Sequence, residues 1–378
     1  MKKTATTLFF ILTFLLSASS NSQIVSTLVT GPSTFDDCLT LSSSGDLFAS
    51  RYNGTTITKI TPAGATSIFS SGLSTPNGTA FGPGGYLYVT NNVANGRITR
   101  LSPAGVMDTL IASIPYPTSI FFESDTSMLI PSYQTNKIFR AKLNGTYTEL
   151  YSGQGMNGPV DIKRASDGNL LVANYTDGKI FKVTAGVFTQ IAKIPGPLGF
   201  MCVANNFIYA TGFGNNRIYK ITMAGDTSTF AGTGQGGQTN GPVRTATFSA
   251  PNGITASRTG DTLYISDYNV RSLRMITGVN TSVQNINLNA PEKFNLKQNY
   301  PNPFNPSTTI EFDITKKSAV LLEVFDSLGK NIVTLVNTEL NVGTYKTEFN
   351  AAGLASGMYF VKLTANGISL TNKIFLTK

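Results

Sequence analysis

Apolar residues come in runs of four to six, separated by clusters of Gly, Pro, Asn and Asp, and nowhere do they recur at helical spacing. The unit is most complete at Ala250 to Ile276. It reads as a Pro-Asn-Gly turn, a short strand, a Gly-Asp turn, the strand Leu263-Tyr264-Ile265, a polar loop and the strand Ser272 to Ile276. The first residue of the middle strand recurs as Leu47, Leu87, Met128, Leu170, Ile208 and Leu263, about 38 to 42 residues apart with one longer last step. The downstream strand recurs as TITKI, RITRL, KIFRA, KIFKV, RIYKI and SLRMI. Six such copies predict an all-β chain whose residues 23–278 form a six-bladed β-propeller. Ile24 to Gly31 matches the outermost strand of the other copies, which predicts that the N-terminal strand completes the last blade and closes the ring.

The flanking segments read differently. Residues 1–22 carry Lys2 and Lys3, an apolar run from Leu8 to Leu16 and a small polar stretch, the pattern of a secretory signal peptide too short to span a bilayer. No other run is long enough for a transmembrane helix. Residues 279–293, rich in Asn, Thr, Ser and Gln, read as a linker. Residues 294–378 show short alternating strands between Gly and Asn turns, as in a small Ig-like β-sandwich, entered through Pro301, Pro303 and Pro306.

Charge and reactive residues narrow the function. Net charge is +9 and becomes +7 once Lys2 and Lys3 leave with the signal. The positive residues are scattered through the third strand of each copy, which reads as a solvated outer strand and not as a nucleic-acid surface. The chain has no histidine, so triad catalysis, His-ligated zinc and His general-base chemistry are all excluded. Cys38 and Cys202 fall in the first and fifth copies and read as buried free thiols.

Superposing the copies brings out two rows of positions. After the turn come Asp37, Asn77, Thr118, Val160, Leu198 and Asn252. Four residues beyond the middle-strand anchor come Arg51, Asn91, Ser132, Asn174, Gly212 and Asp267, and one further come Tyr52, Asn92, Tyr133, Tyr175, Phe213 and Tyr268. Antiparallel pairing places both rows at one mouth of the central tunnel. Candidate ligand-binding residues are therefore Asp37, Arg51, Tyr52, Asn77, Tyr133, Asn174, Tyr175, Phe213, Asn252, Asp267 and Tyr268. Aromatic platforms with directed Asp, Asn and Arg groups suit a carbohydrate or another polar organic ligand. The alternative is that these are repeat residues packing between blades and bonding loop amides.

Two resemblances sharpen the picture. AGTGQGGQTNGPVRTATFSAPNGI followed by LYISDYNVRSLRMI, residues 231–276, resembles an NHL repeat, with Asn240 where Asp is usual and Val270 where His is usual. The looser copies resemble gluconolactonase-like (senescence marker protein-like) propellers. That resemblance implies a calcium-type oxygen site and a lactonase or esterase activity, with Asp37, Asn77, Asn252 and Asp267 in the ligand positions and Asp161 one residue deeper. The Glu of that family has no counterpart in the first copy, where Asp36-Asp37 stand. Asn299-Tyr-Pro-Asn-Pro-Phe-Asn-Pro306, Phe325-Asp-Ser-Leu-Gly329, Leu354-Ala-Ser-Gly-Met-Tyr-Phe360 and the final Lys378 resemble a type IX secretion system C-terminal sorting domain (Por secretion). This implies a Bacteroidota-type bacterium, export across the outer membrane and a secreted or cell-surface location. The partners implied are the secretion machinery through residues 294–378 and a glycan or surface polysaccharide at the mouth.

Overall fold

A computed structural model describes residues 23–165, 167–279, 284–287, 291–351 and 354–377. The signal peptide expected at 1–22 lies outside them. Among the described residues between 24 and 277 the strands form six antiparallel sheets. Each uses strands that follow one another in the chain, except the last, where Ile24–Val29 pairs with Ser272–Thr277 in the register Ile24↔Thr277 to Thr27↔Arg274. The N-terminal strand thus completes the sixth sheet, as its sequence predicts.

Burial is graded across each sheet. Middle strands such as Leu47–Ser50 and Leu87–Asn91 are buried throughout, because neighbouring sheets cover both of their faces. Burying each Leu or Ile there contributes about 1.5–3 kcal/mol. Fourth strands such as Thr66–Ser70 and Tyr147–Ser152 face solvent. The third strand is therefore not the solvated edge that its basic residues suggest. Ile138, Phe139 and Ala141 of Lys137–Lys142 are buried, and the cations at the intervening positions reach carboxylates of their own sheet. Lys137 meets Glu149 at 2.6 Å, Arg140 meets Glu123 at 2.6 Å and Lys59 meets Asp46 at 2.9 Å.

The Pro-Asn-Gly triplets are also not turns. They open the inner strands Pro76–Phe81 and Pro251–Ala256, and their glycines let adjacent inner strands crowd together at the centre. A Cβ on Gly78 would lie 2.1 Å from the carbonyl oxygen of Thr118, and one on Gly253 would lie 2.1 Å from that of Asp37. Hydroxyls from the middle strands join the sheets at this depth. Ser50 Oγ donates to the Asn77 carbonyl (2.5 Å), Thr90 Oγ1 to that of Thr118 (2.5 Å), Thr211 Oγ1 to that of Asn252 (2.6 Å), and Ser266 Oγ to that of Asp37 (2.6 Å). The last of these ties the sixth sheet to the first.

The C-terminal residues form two four-stranded antiparallel sheets that share an apolar core including Phe312, Leu322, Val361 and Ile374. Phe304 of the proline-rich entry is buried in that core, and its N–H donates to the Phe375 carbonyl at 2.9 Å. One expectation is corrected here. The segment read as a linker over 279–293 contains a strand, Gln284–Asn287, paired with Gly343–Asn350. Backbone pairing at a sheet edge does not require the apolar alternation by which strands are read from sequence.

Candidate functional site

Strand alternation decides which of the repeat rows reaches the mouth. Successive side chains along a strand point to opposite faces, so two adjacent positions cannot both face the tunnel. Tyr52, Asn92, Tyr133, Tyr175, Phe213 and Tyr268 all line one cavity of about 190 Å³. They are joined by Asp37, Asn77, Thr118, Val160 and Asn252 from the inner strands, with Phe200 where Leu198 was expected.

The preceding row turns away from the cavity. Asn174 Nδ2 donates to the Gly155 carbonyl and to Asp177 Oδ1, both at 3.0 Å. Asn91 Oδ1 accepts the Ser74 N–H at 2.9 Å. The Arg51 side chain lies over Gly54, where a Cβ would come within 2.6 Å of its Cδ. Asp267 Oδ1 accepts the Ser249 N–H (3.1 Å) and its Oδ2 accepts from Arg274 Nη1 (3.2 Å). Arg51, Asn174 and Asp267 are thus placed outside the mouth, and Asp267 stands apart from the other three positions of the suggested metal set. Asp161 is likewise engaged, accepting from Lys163 Nζ at 2.7 Å and from the Met201 N–H at 3.0 Å.

The floor of the mouth is polar and buried. Asp37, fully enclosed, accepts from Asn77 Nδ2 at Oδ2 (2.5 Å) and from Asn252 Nδ2 at Oδ1 (2.6 Å). As placed, both amides turn nitrogen and not oxygen toward the carboxylate. Asn77 Oδ1 is buried with no hydrogen-bond partner. Burial raises the Asp37 pKa well above the ordinary carboxylate value of 3.8, and the neighbouring Asp36 raises it further. No lysine or arginine is among the lining residues.

The rim is aromatic and half-buried. Tyr133 and Tyr175 lie 5.7 Å apart between centroids at 82°, Tyr175 and Phe213 5.8 Å at 51°, and Phe213 and Tyr268 5.5 Å at 70°. Asn53 Nδ2 donates to the Tyr268 hydroxyl, and the Tyr52 hydroxyl reaches Asn92 Oδ1 at 3.5 Å. The backbone N–H of Tyr52 donates to Asp36 Oδ1 at 2.8 Å, which ties the rim to the first sheet's loop.

At the far end of the inner strands lies a second cavity of about 360 Å³, lined mostly by aliphatic and Phe side chains with Cys38 and Lys163. Both cysteines are free and buried, and burial pushes Cys38 up to about 11 and Cys202 up to about 12, so neither is a ready nucleophile. Among the described residues no group of three or more His, Cys, Asp or Glu is arranged to hold a metal ion.

Sequence reasoning passed over Ser50, Thr90, Thr211 and Ser266, the hydroxyls that join the sheets around the mouth. Their signal was present, for all four stand three residues after the middle-strand anchor.

An all-β chain built mostly of four-stranded antiparallel sheets, with its site where the inner strands converge, is of the propeller class. The profile of the Virginiamycin B lyase family matches residues 17–261, and the chain belongs to that family. The profile of the secretion system C-terminal sorting domain matches residues 298–377. That domain marks the chain for export through the type IX secretion system, to the cell surface or beyond it. No curated protein matches in a sequence search. Among solved structures, a gluconolactonase from Xanthomonas campestris is similar at 13% identity, over 68% of this chain and 89% of its own, with a TM-score of 0.55. An auxiliary nutrient binding protein from Bacteroides ovatus is similar at 15% identity, over 68% and 76%, with a TM-score of 0.57. A catalytically inactive virginiamycin B lyase from Staphylococcus aureus, with quinupristin, matches at 24% identity over 65% and 82%, with a TM-score of 0.49.

Proposed function

We propose that residues 23–278 form a six-bladed ring acting outside the cell as a binding module, with a carbohydrate or another polar organic ligand seated in the mouth. In the same reading, residues 1–22 are a signal peptide, and residues 294–378 are an Ig-like sandwich read by the secretion machinery. The observation that carries the binding reading is the convergence of one row of repeat positions on a single cavity, an aromatic rim above a hydrogen-bonding floor. Family membership assigns no reaction by itself, and a chain without histidine has no His acid or base to offer.

The test is calorimetric titration of the full chain against a panel of glycans and small polar ligands. A ligand that binds the wild type should bind Tyr133→Leu/Tyr175→Leu at least tenfold more weakly. Unchanged affinity in that variant would refute the mouth as the site.

The calcium-dependent lactonase remains the second reading, because Asp37, Asn77 and Asn252 do share the cavity. Against it stand the ion pair of Asp267 with Arg274 and the two amide nitrogens turned to Asp37. On the binding reading, calcium leaves the melting temperature unchanged. A calcium-dependent rise that is absent in Asp37→Asn would restore the hydrolase.

A further inference from the structure

We infer that the mouth recognises a protonated alkylamine, an alkylammonium group either free or carried on a larger ligand. The inference rests on the reading of the mouth as a binding site, and three observations carry it.

First, the aromatic rim is shaped as walls. Tyr133 and Tyr175, then Phe213 and Tyr268, meet nearly edge to face, at 82° and 70°. A flat sugar ring wants one open aromatic face, whereas rings set edge to face surround a compact group and turn several negative π-faces or hydroxyls toward it.

Second, the floor is built of acceptors. The Asp37 carboxylate is enclosed with only two amide donors, and Asn77 Oδ1 beside it is buried without a donor. An ammonium N–H supplies the donor that Asn77 lacks and the charge that Asp37 lacks.

Third, the protein provides no cation of its own there. The other two carboxylates that are fully enclosed are paired, Asp267 with Arg274 and Asp161 with Lys163, and the less deeply buried Asp36 and Asp313 accept from neutral donors. Yet no lysine or arginine lines the mouth.

The same arrangement makes binding sensitive to pH. The charged and titratable groups around Asp37 include Asp36 beside it in sequence, on which the Arg51 and Arg271 charges act, the hydroxyls of Tyr52, Tyr133, Tyr175 and Tyr268 at the rim, Cys38 next along the chain, and the Asp161–Lys163 pair on the fourth sheet's inner strand. Burial and the neighbouring Asp36 raise the pKa of Asp37, so a proton competes with a bound cation there and affinity for the cation rises as pH rises through that raised value.

The experiment is titration of the full chain with trimethylammonium chloride and with tert-butanol, a neutral molecule of similar shape, at pH 5 and pH 8. Trimethylammonium should bind more tightly at pH 8 and at least tenfold more tightly than tert-butanol. It should weaken at least tenfold in Asp37→Asn, and similarly in Tyr175→Leu. The Tyr175→Leu comparison and the neutral isostere keep the test decisive should Asp37→Asn fold poorly. Equal binding of cation and isostere, or cation binding indifferent to both variants, overturns the inference. Neutral glycans held at the rim without any affinity for the cation overturn it while leaving the binding module intact. Failure of every ligand at the rim overturns the module as well.

Discussion

Two buried carboxylates, Asp267 in the sixth sheet and Asp37 at the mouth, show how the same residue type is put to different use. Both are fully enclosed. Asp267 has a guanidinium of its own. Arg274, equally buried, donates to it and also to the carbonyls of Thr247 (2.8 Å) and Thr239 (3.1 Å) and to Asn240 Oδ1 (2.8 Å), while its guanidinium lies 5.2 Å from the Phe248 ring centroid. That network pins the glycine-rich loop onto the sheet. Asp37 has only amide donors and opens onto a cavity. The enclosed acid with a built-in cation holds the sixth sheet together, and on the reading proposed above the one that opens onto the mouth meets a ligand.

The largest break in this comparison comes from removing residues 24–31. Ile24–Val29 is the partner of the strand that carries Arg274, so its loss opens the sixth sheet and unseats the Asp267 network. Cooperative unfolding of the ring should disappear in a thermal melt, and an unchanged melting temperature would contradict the closure. Next in size is Asp267→Ala. It leaves a guanidinium buried and unpaired, and should cost about 3–5 kcal/mol in chemical denaturation.

Asp37→Asn should change stability at neutral pH far less, by about 1 kcal/mol, but it should alter the pH dependence. The folded value lies above 3.8, so the contribution of Asp37 to stability is complete below that pH and is lost as pH rises through the raised value. The melting temperature of the wild type relative to Asp37→Asn should therefore fall from pH 4 to pH 8. A difference that is flat or grows with pH would show that Asp37 is ionised without strain. Smallest is Lys137→Ala, which removes an exposed pair with Glu149 and should cost no more than about 1 kcal/mol.

Much of this was legible in the repeat. The strand pattern gave the sheets, and the outer-strand likeness of Ile24 to Gly31 gave the closing pair. The aromatic row Tyr52, Tyr133, Tyr175, Phe213 and Tyr268 gave the rim. What could not be read was orientation. Arg51, Asn174 and Asp267 are each one residue from a rim aromatic, and a period of two sends them to the opposite face. Nor did the Pro-Asn-Gly triplets reveal that their glycines serve close approach, because that requirement arises from a neighbouring sheet remote in sequence, at Thr118 for Gly78 and at Asp37 for Gly253. Gln284–Asn287 escaped notice for a related reason: its pairing uses backbone groups, which composition does not report.

The most direct test of the account sets Asp37→Asn beside Asp267→Asn, measuring for each the melting temperature and the affinity of the folded protein for trimethylammonium. The account predicts that Asp267→Asn melts well below the wild type while its folded fraction still binds, and that Asp37→Asn melts near the wild type and binds at least tenfold more weakly. An Asp37→Asn variant that loses stability as Asp267→Asn does, or keeps full affinity, would contradict the division between a carboxylate that holds the fold and one that meets a ligand.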